Sequence, residues 1–451
     1  MNKAKSLLLV LVIGTSSAVS GCVGNTADAL LNTTYVDHNA PRPNPAEQAL
    51  HLDLFVVDLH GDTMMWDRDL LERSDYGHID LPRLIEGNVG LQVFSIATRT
   101  PYGLTSMFGS CNHPDGFNAV RLLHGQQSDQ MTAWGNAEAE FMRQVTRLKS
   151  FIEESNDRHE ADPHDPYLML ITNAGDFALL IQRRVHERKP VVGVILALEG
   201  AHWIGTEGMS DNVIRAKTRD LYDAEIRMVG ATHRYDNALG YSSEGCHDDT
   251  VVPDNPEGRA VFYQEAEELG MILDLSHSGT IEQDFDGSRI REPFILSHIG
   301  FQEFCIDHDE RCNEPRNLTD QTLRSIGEHG GLMGVGFWPQ AVGENVESIV
   351  GAFNHAYRAL QGVVVDPADH LAIGSDFDGS IEAPFDASGH GVLTAALLRN
   401  DAEGALPNDE TTIRKVAGVN ACFMLATQLP GGSPEKAQEI CTPLLGEGNR
   451  Q

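Results

Sequence analysis

The chain has 451 residues, 41% of them hydrophobic and 20 of them prolines, which suits one large globular domain and excludes a disordered or fibrous chain. A formal charge of −33 excludes a nucleic-acid surface, because phosphates must be neutralised by lysine and arginine. The excess of acid reads as a solvated face rather than as an active site.

The amino terminus reads as a targeting segment. Lys3 and Lys5 precede an apolar run at 7–13 that is too short to span a bilayer as a mature helix, and Val19-Ser20-Gly21-Cys22 follows. Small residues before a cysteine resemble the lipobox of bacterial lipoproteins. Residues 1–21 are therefore expected to be removed and Cys22 lipidated, an ordinary secretory signal being the alternative. Val23 after the cysteine favours the outer membrane. The expectation is a protein of the bacterial cell envelope, lipid-anchored on the periplasmic face. Residues 22–50, with Pro41, Pro43 and Pro45, read as a linker from that anchor. Six further cysteines, Cys111, Cys246, Cys305, Cys312, Cys422 and Cys441, permit three disulfides in an oxidising compartment. Cys305 with Cys312 and Cys422 with Cys441 are the local pairs, but fifteen connectivities stay open.

From residue 54 onward short apolar runs recur, at 54–58, 89–96, 191–198, 227–232, 271–275, 294–296, 332–337 and 371–373. Continuous rather than alternating apolarity marks strands buried on both faces. Helical patterns separate most of them, at 212–225, 256–269 and 319–328. Eight strands alternating with helices predict a (β/α)8 TIM barrel over 51–430, with 431–451 as a C-terminal tail. A doubly wound open sheet is the alternative, but no GxGxxG follows the first strand. Residues 100–165, with a helix at 136–154 and a polar loop at 156–166, and residues 236–256 are insertions expected over the carboxyl face of the barrel, where active-site loops gather.

The strand ends carry the chemistry. The first run ends in Asp58-Leu59-His60-Gly61-Asp62, the third in Glu199, the fourth in His233, the fifth in His277, the sixth in His298 and the eighth in Asp376. Residues two apart in a strand share a face, so His60 and Asp62 can approach one ion. Imidazole and carboxylate together suit zinc, and equally manganese, cobalt or iron. Core packing prefers valine, isoleucine and leucine at such positions, so this placement points to a metallohydrolase.

These residues resemble the membrane (renal-type) dipeptidases, metallopeptidase family M19, among the amidohydrolase-like barrels. The resemblance rests on Asp58-Leu59-His60-Gly61-Asp62-Thr63, Leu198-Glu199-Gly200, Asp274-Leu275-Ser276-His277, Ser297-His298, Pro315-Arg316-Asn317-Leu318 and Gly374-Ser375-Asp376-Phe377-Asp378-Gly379, in that order. It implies two Zn2+ per chain, one on His60 and Asp62, the other on His277 and His298, with Glu199 bridging ions about 3.5–4 Å apart and a shared hydroxide attacking the peptide carbonyl. It implies that His233 steadies the substrate and its oxyanion. Arg316 would take the substrate carboxylate, and Asp376 the free amino terminus and the proton. Asp378 reads instead as an organiser of its loop. The implied substrate is a free dipeptide, including those with a C-terminal D-residue, and the implied assembly a homodimer. Trp338 after Phe337 departs from the tyrosine common there in the family, which puts side-chain preference in doubt. Lactam or N-acyl amino-acid hydrolysis on the same metals, and a catalytically silent envelope binding protein, are the rival readings. Arg316 together with Asp376 argues against the first, and a complete ligand set against the second.

Overall fold

The computed structural model describes residues 20–35, 37–98, 136–206, 208–245, 255–286, 290–291, 293–308, 312 and 316–446. The expected signal segment up to residue 19, Cys111, Cys246 and most of the 100–165 insertion lie outside the described residues.

All eight expected strands form. They are β1 (Val56–Asp58), β2 (Val89–Ala97), β3 (Val191–Glu199), β4 (Ile226–Gly230), β5 (Ile272–Leu273), β6 (Ile295–Ile299), β7 (Leu332–Val335) and β8 (Leu371–Ile373). They pair in parallel in the spatial order β5-β4-β3-β2-β1-β8-β7-β6. The ring closes where Asp274, just past β5, bridges Ile295 of β6 in parallel, with Leu275 N donating to Ile295 O at 2.9 Å. Every strand residue is buried, as helices on the outside and packed side chains inside require. The backbones of β6, β7 and β8 approach closely inside the ring: a Cβ on Gly374 would lie 1.7 Å from the Ser297 carbonyl oxygen, and one on Gly334 2.1 Å.

Four expectations change. The first half of the loop expected at 156–166 is helix, because one continuous helix, Ala137–Ala161, extends to Ala161. Its polar residues at 157–160 reach solvent, and Arg158 pairs along the helix with Glu154 at 2.8 Å. A ninth strand, Tyr167–Leu170, pairs with Val191–Val194, the amino-terminal part of β3 that β4 leaves uncovered. The segment expected as a linker, 22–50, contains most of the helix Ser20–Leu31 and the start of the helix Pro45–Asp53, which Asn44 caps in a capping box with Glu47. Between them Thr33–Thr34 pairs with Glu382–Ala383. The expected tail contains the helix Pro434–Cys441, held by a disulfide from Cys441 to Cys422; among the described residues Cys305 and Cys312 are also joined.

Candidate metal centre

The residues at the strand ends meet in one buried cluster. His60 Nε2 lies 3.7 Å from Asp62 Oδ1, 3.6 Å from Glu199 Oε1 and 3.9 Å from Asp376 Oδ1. His277 Nε2 is 3.0 Å from the same Glu199 oxygen and His298 Nε2 is 3.6 Å from it. Two ligand triads result, His60–Asp62–Glu199 and Glu199–His277–His298, with Glu199 common to both. A third, His60–His298–Asp376, overlaps them. Buried polar atoms normally have partners. Here His60 Nε2, Asp62 Oδ1 and Glu199 Oε2 are buried with no hydrogen-bond partner among the described residues. Nitrogen and oxygen donors left open in this way fit divalent cations.

Backbone geometry aims these groups. Asp62 N donates to Phe377 O at 2.9 Å, and Gly61 bridges Phe377 in parallel, which stitches the end of β1 to the loop after β8. Asp376 has φ +61°, a left-handed conformation that costs energy and must be held by its surroundings. Gly379 makes room for it, because a Cβ there would sit 2.3 Å from Asp376 Oδ1. Asp378 accepts from His78 N at 2.7 Å and from Thr63 Oγ1 at 2.8 Å, so it organises the loop, as expected.

Three groups that sequence reasoning left without roles support the ligands. Ser297 Oγ donates to Asp274 Oδ2 at 2.6 Å and stands 3.0 Å from His60 Nδ1 and 2.8 Å from His298 Nδ1. Glu244 Oε2 lies 3.1 Å from His277 Nδ1, and its Oε1 accepts from Arg234 at 3.0 Å. Asp274 and Ser297 belong to the motifs that carry the family resemblance. Glu244 belongs to the 236–256 insertion, and nothing in its sequence neighbours signals that it reaches His277.

Charge is divided sharply across the cluster. Burial alone would lower His60, but Glu199, Asp62 and Asp376 push it up to about 10. Burial pushes His233 down to about 3 despite Glu199, 3.4 Å away. Asp376 is raised well above the usual carboxylate range by burial, with Asp62 adding to it. Glu199 is buried too, yet His233, His60 and His277 hold it well below that range. Arg316 donates through one nitrogen to His298 O at 2.7 Å, and its other terminal nitrogen is 2.6 Å from His277 Nε2. Its guanidinium lies 4.8 Å from the ring centre of Trp338. The guanidinium thus occupies a lone pair that a cation on His277 would use, and those two uses exclude each other. Cys22, the remaining expected site residue, falls in the helix Ser20–Leu31, with its side chain outside the described residues.

The family described as membrane dipeptidase (peptidase family M19) matches residues 45–427. A dipeptidase of Claviceps purpurea, tcpJ, is 24% identical over 84% of this chain and 76% of its own length. A dipeptidase of Aspergillus oryzae, aclJ, is 22% identical over 76% and 71%. Among solved structures, a metallopeptidase from Rhodobacter sphaeroides, liganded with a phosphinate mimic of the dipeptide L-Ala-D-Ala, shares the fold. It has a TM-score of 0.59 and 21% identity, covering 83% of this chain and 99% of that one.

Proposed function

The chain belongs to the membrane dipeptidase family, peptidase family M19, and on that premise we propose that it hydrolyses free dipeptides with two zinc ions. His60 and Asp62 would hold one ion, His277 and His298 the other, and Glu199 would bridge them; Mn2+, Co2+ or Fe2+ suit the same donors. Bound there, the ions supply Lewis acidity and a water acidic enough to act as nucleophile near neutral pH.

The observation that carries this reading is the pairing of a cation with a spare acid beside the ligand cluster. Arg316 contacts His277 and His298, whereas Asp376 contacts His60. A substrate with a carboxylate at one end and an amine at the other fits both. Arg316 turns from His277 to the substrate carboxylate, a task suited to its planar fork, and Trp338 backs the guanidinium. His233 is neutral and donates to the oxygen that gains charge as the carbonyl is attacked. The water adds its oxygen to the acyl carbon while Asp376 takes its proton, being ionised where bound cations would offset the Asp62 and Glu199 charges that raise it. The C–N bond then breaks and Asp376 returns the proton to the leaving amine. Acceptance of a C-terminal D-residue is proposed on the strength of the Rhodobacter relative, whose ligand mimics L-Ala-D-Ala.

The test is a panel of L,L-, L,D- and N-blocked dipeptides on zinc-loaded protein, beside elemental analysis. Hydrolysis restricted to dipeptides with a free amine, at close to two metals per chain, is the expected result. Full activity with no metal, or a preference for N-acyl substrates, would overturn it. Lipid anchoring at Cys22 on the periplasmic side of the outer membrane, and a homodimer, complete the proposal. Fractionation of wild type and Cys22→Ala, with sedimentation of the released protein, tests both.

A further inference from the structure

The segment before residue 45 lies outside the family match, yet its contacts converge on the loop that carries Asp376. Asp28 Oδ2 pairs with Arg68 Nε at 2.6 Å, and Arg68 pairs onward with Asp378 Oδ2 at 2.6 Å. Asp28, Arg68 and Asp378 are all buried. Asn32, which donates to Asp28 at 2.8 Å, accepts from the backbone of Ser380 at 2.9 Å. Thr33 N donates to Ile381 O at 3.2 Å and Tyr35 N to Ala383 O at 3.1 Å, along the short parallel pairing with Glu382–Ala383. The loop so gripped has three non-glycine residues in the left-handed region, Asp376, Asp378 and Ser380. Such a backbone persists only where its surroundings over-determine it.

We infer that residues 28–35 are a positioning clamp for Asp376, with Asp28 acting through Arg68 and Asp378, and Asn32 acting directly on Ser380. The inference rests on the proposed role of Asp376 for its kinetic consequence. Its structural part, that this segment holds the 376–383 loop, stands apart from that role. Removing the Asp28 charge leaves Arg68 a buried cation with one of its two carboxylates, free to drag Asp378 out of register. A shift of about 1 Å at a reacting group costs on the order of a hundredfold in rate.

The experiment uses the full-length, metal-loaded protein and compares Asp28→Asn and Asn32→Ala with Asn44→Ala. The last variant removes the cap of the neighbouring helix and loses stability without touching the loop. Amide hydrogen exchange at residues 378–380 is expected to rise about tenfold or more in the first two variants and to stay unchanged in the third. On dipeptide, the first two are expected to lose about tenfold or more in kcat, with metal content retained and KM little changed. Unchanged exchange at 378–380 would overturn the clamp, as would a kcat loss that follows metal loss or one matched by Asn44→Ala. Should Asp28→Asn not fold, Asn32→Ala alone decides by the same criteria. A wild type inactive on every dipeptide would remove the proposed function and leave the exchange comparison to judge the clamp.

Discussion

Ser297 Oγ stands 3.0 Å from Nδ1 of His60, which is 237 positions away in the chain, and this contact sets the tautomer of a candidate ligand. A serine hydroxyl has one proton and two lone pairs. The proton goes to Asp274 at 2.6 Å, so Ser297 must accept from both His60 Nδ1 and His298 Nδ1. Each ring then carries its proton on Nδ1 and presents Nε2 to the cluster, which is the form that binds a cation.

Ser297→Ala removes that acceptor from both rings at once. Metal affinity is expected to fall about 10- to 100-fold, the usual cost of losing such a partner. Competition against a chelator measures it. Unchanged affinity for both ions would show that the rings are oriented without Ser297.

The barrel and most of the cluster were legible because buried parallel strands leave continuous apolar runs, and polar residues that close such runs stand out against them. His60, Glu199, His277, His298 and Asp376 were visible in this way. Glu244 was not: it reaches His277 from a loop without periodicity, and only folding brings the two within 3.1 Å. The strand Tyr167–Leu170 escaped although its apolar run is as long as others read as strands, because no polar cluster residue closes it. The prolines of the amino-terminal segment suggest an extended connector, whereas the buried pair of Asp28 with Arg68, the Asn32 side chain and backbone pairing at 33–35 anchor it. Buried ion pairs of that kind leave no trace in local sequence, since each partner alone looks like a surface residue.

Asp376 can be a proton shuttle or a ligand, because it belongs to a triad with His60 and His298. Asp376→Asn keeps the side-chain shape and removes the base. For a shuttle, kcat should fall at least about a hundredfold with metal content near normal. Elemental analysis and kcat on one preparation separate the roles: activity that falls only in proportion to lost metal would make Asp376 a ligand first.

Arg316→Ala should raise KM for free dipeptides, with a loss of about 2–5 kcal/mol if the carboxylate pair is desolvated. Dipeptide amides lack that charge and should lose far less. The same variant frees His277 Nε2 from the 2.6 Å contact, so metal affinity should hold or rise. Equal losses on acids and amides would remove the carboxylate-binding role.

Acid sensitivity should come in part from His390, which is not one of the cluster's ligands. Its ring is buried among Phe337, Phe377 and Phe385, with centroids 6.2, 5.9 and 6.0 Å away, and neither ring nitrogen has a hydrogen-bond partner among the described residues. Burial pushes it down to about 3, with His51 lowering it further and Asp386 opposing. His51 is itself pushed down to about 4 by burial. Above the unfolded value of 6.5 both states are neutral and neither residue affects stability. As pH falls below that value the unfolded chain takes up protons that the folded chain refuses. Stability is therefore lost progressively on acidification, until the folded-state values are reached. The loss is about 2 kcal/mol per residue by roughly pH 5. His390→Met, with a flexible apolar side chain that suits an aromatic pocket, removes one of the two sites. Denaturant midpoints of wild type and variant at neutral pH and near pH 5 read the difference. The variant should lose less stability between the two conditions than the wild type does, and an equal loss in both would place the acid-sensitive step elsewhere.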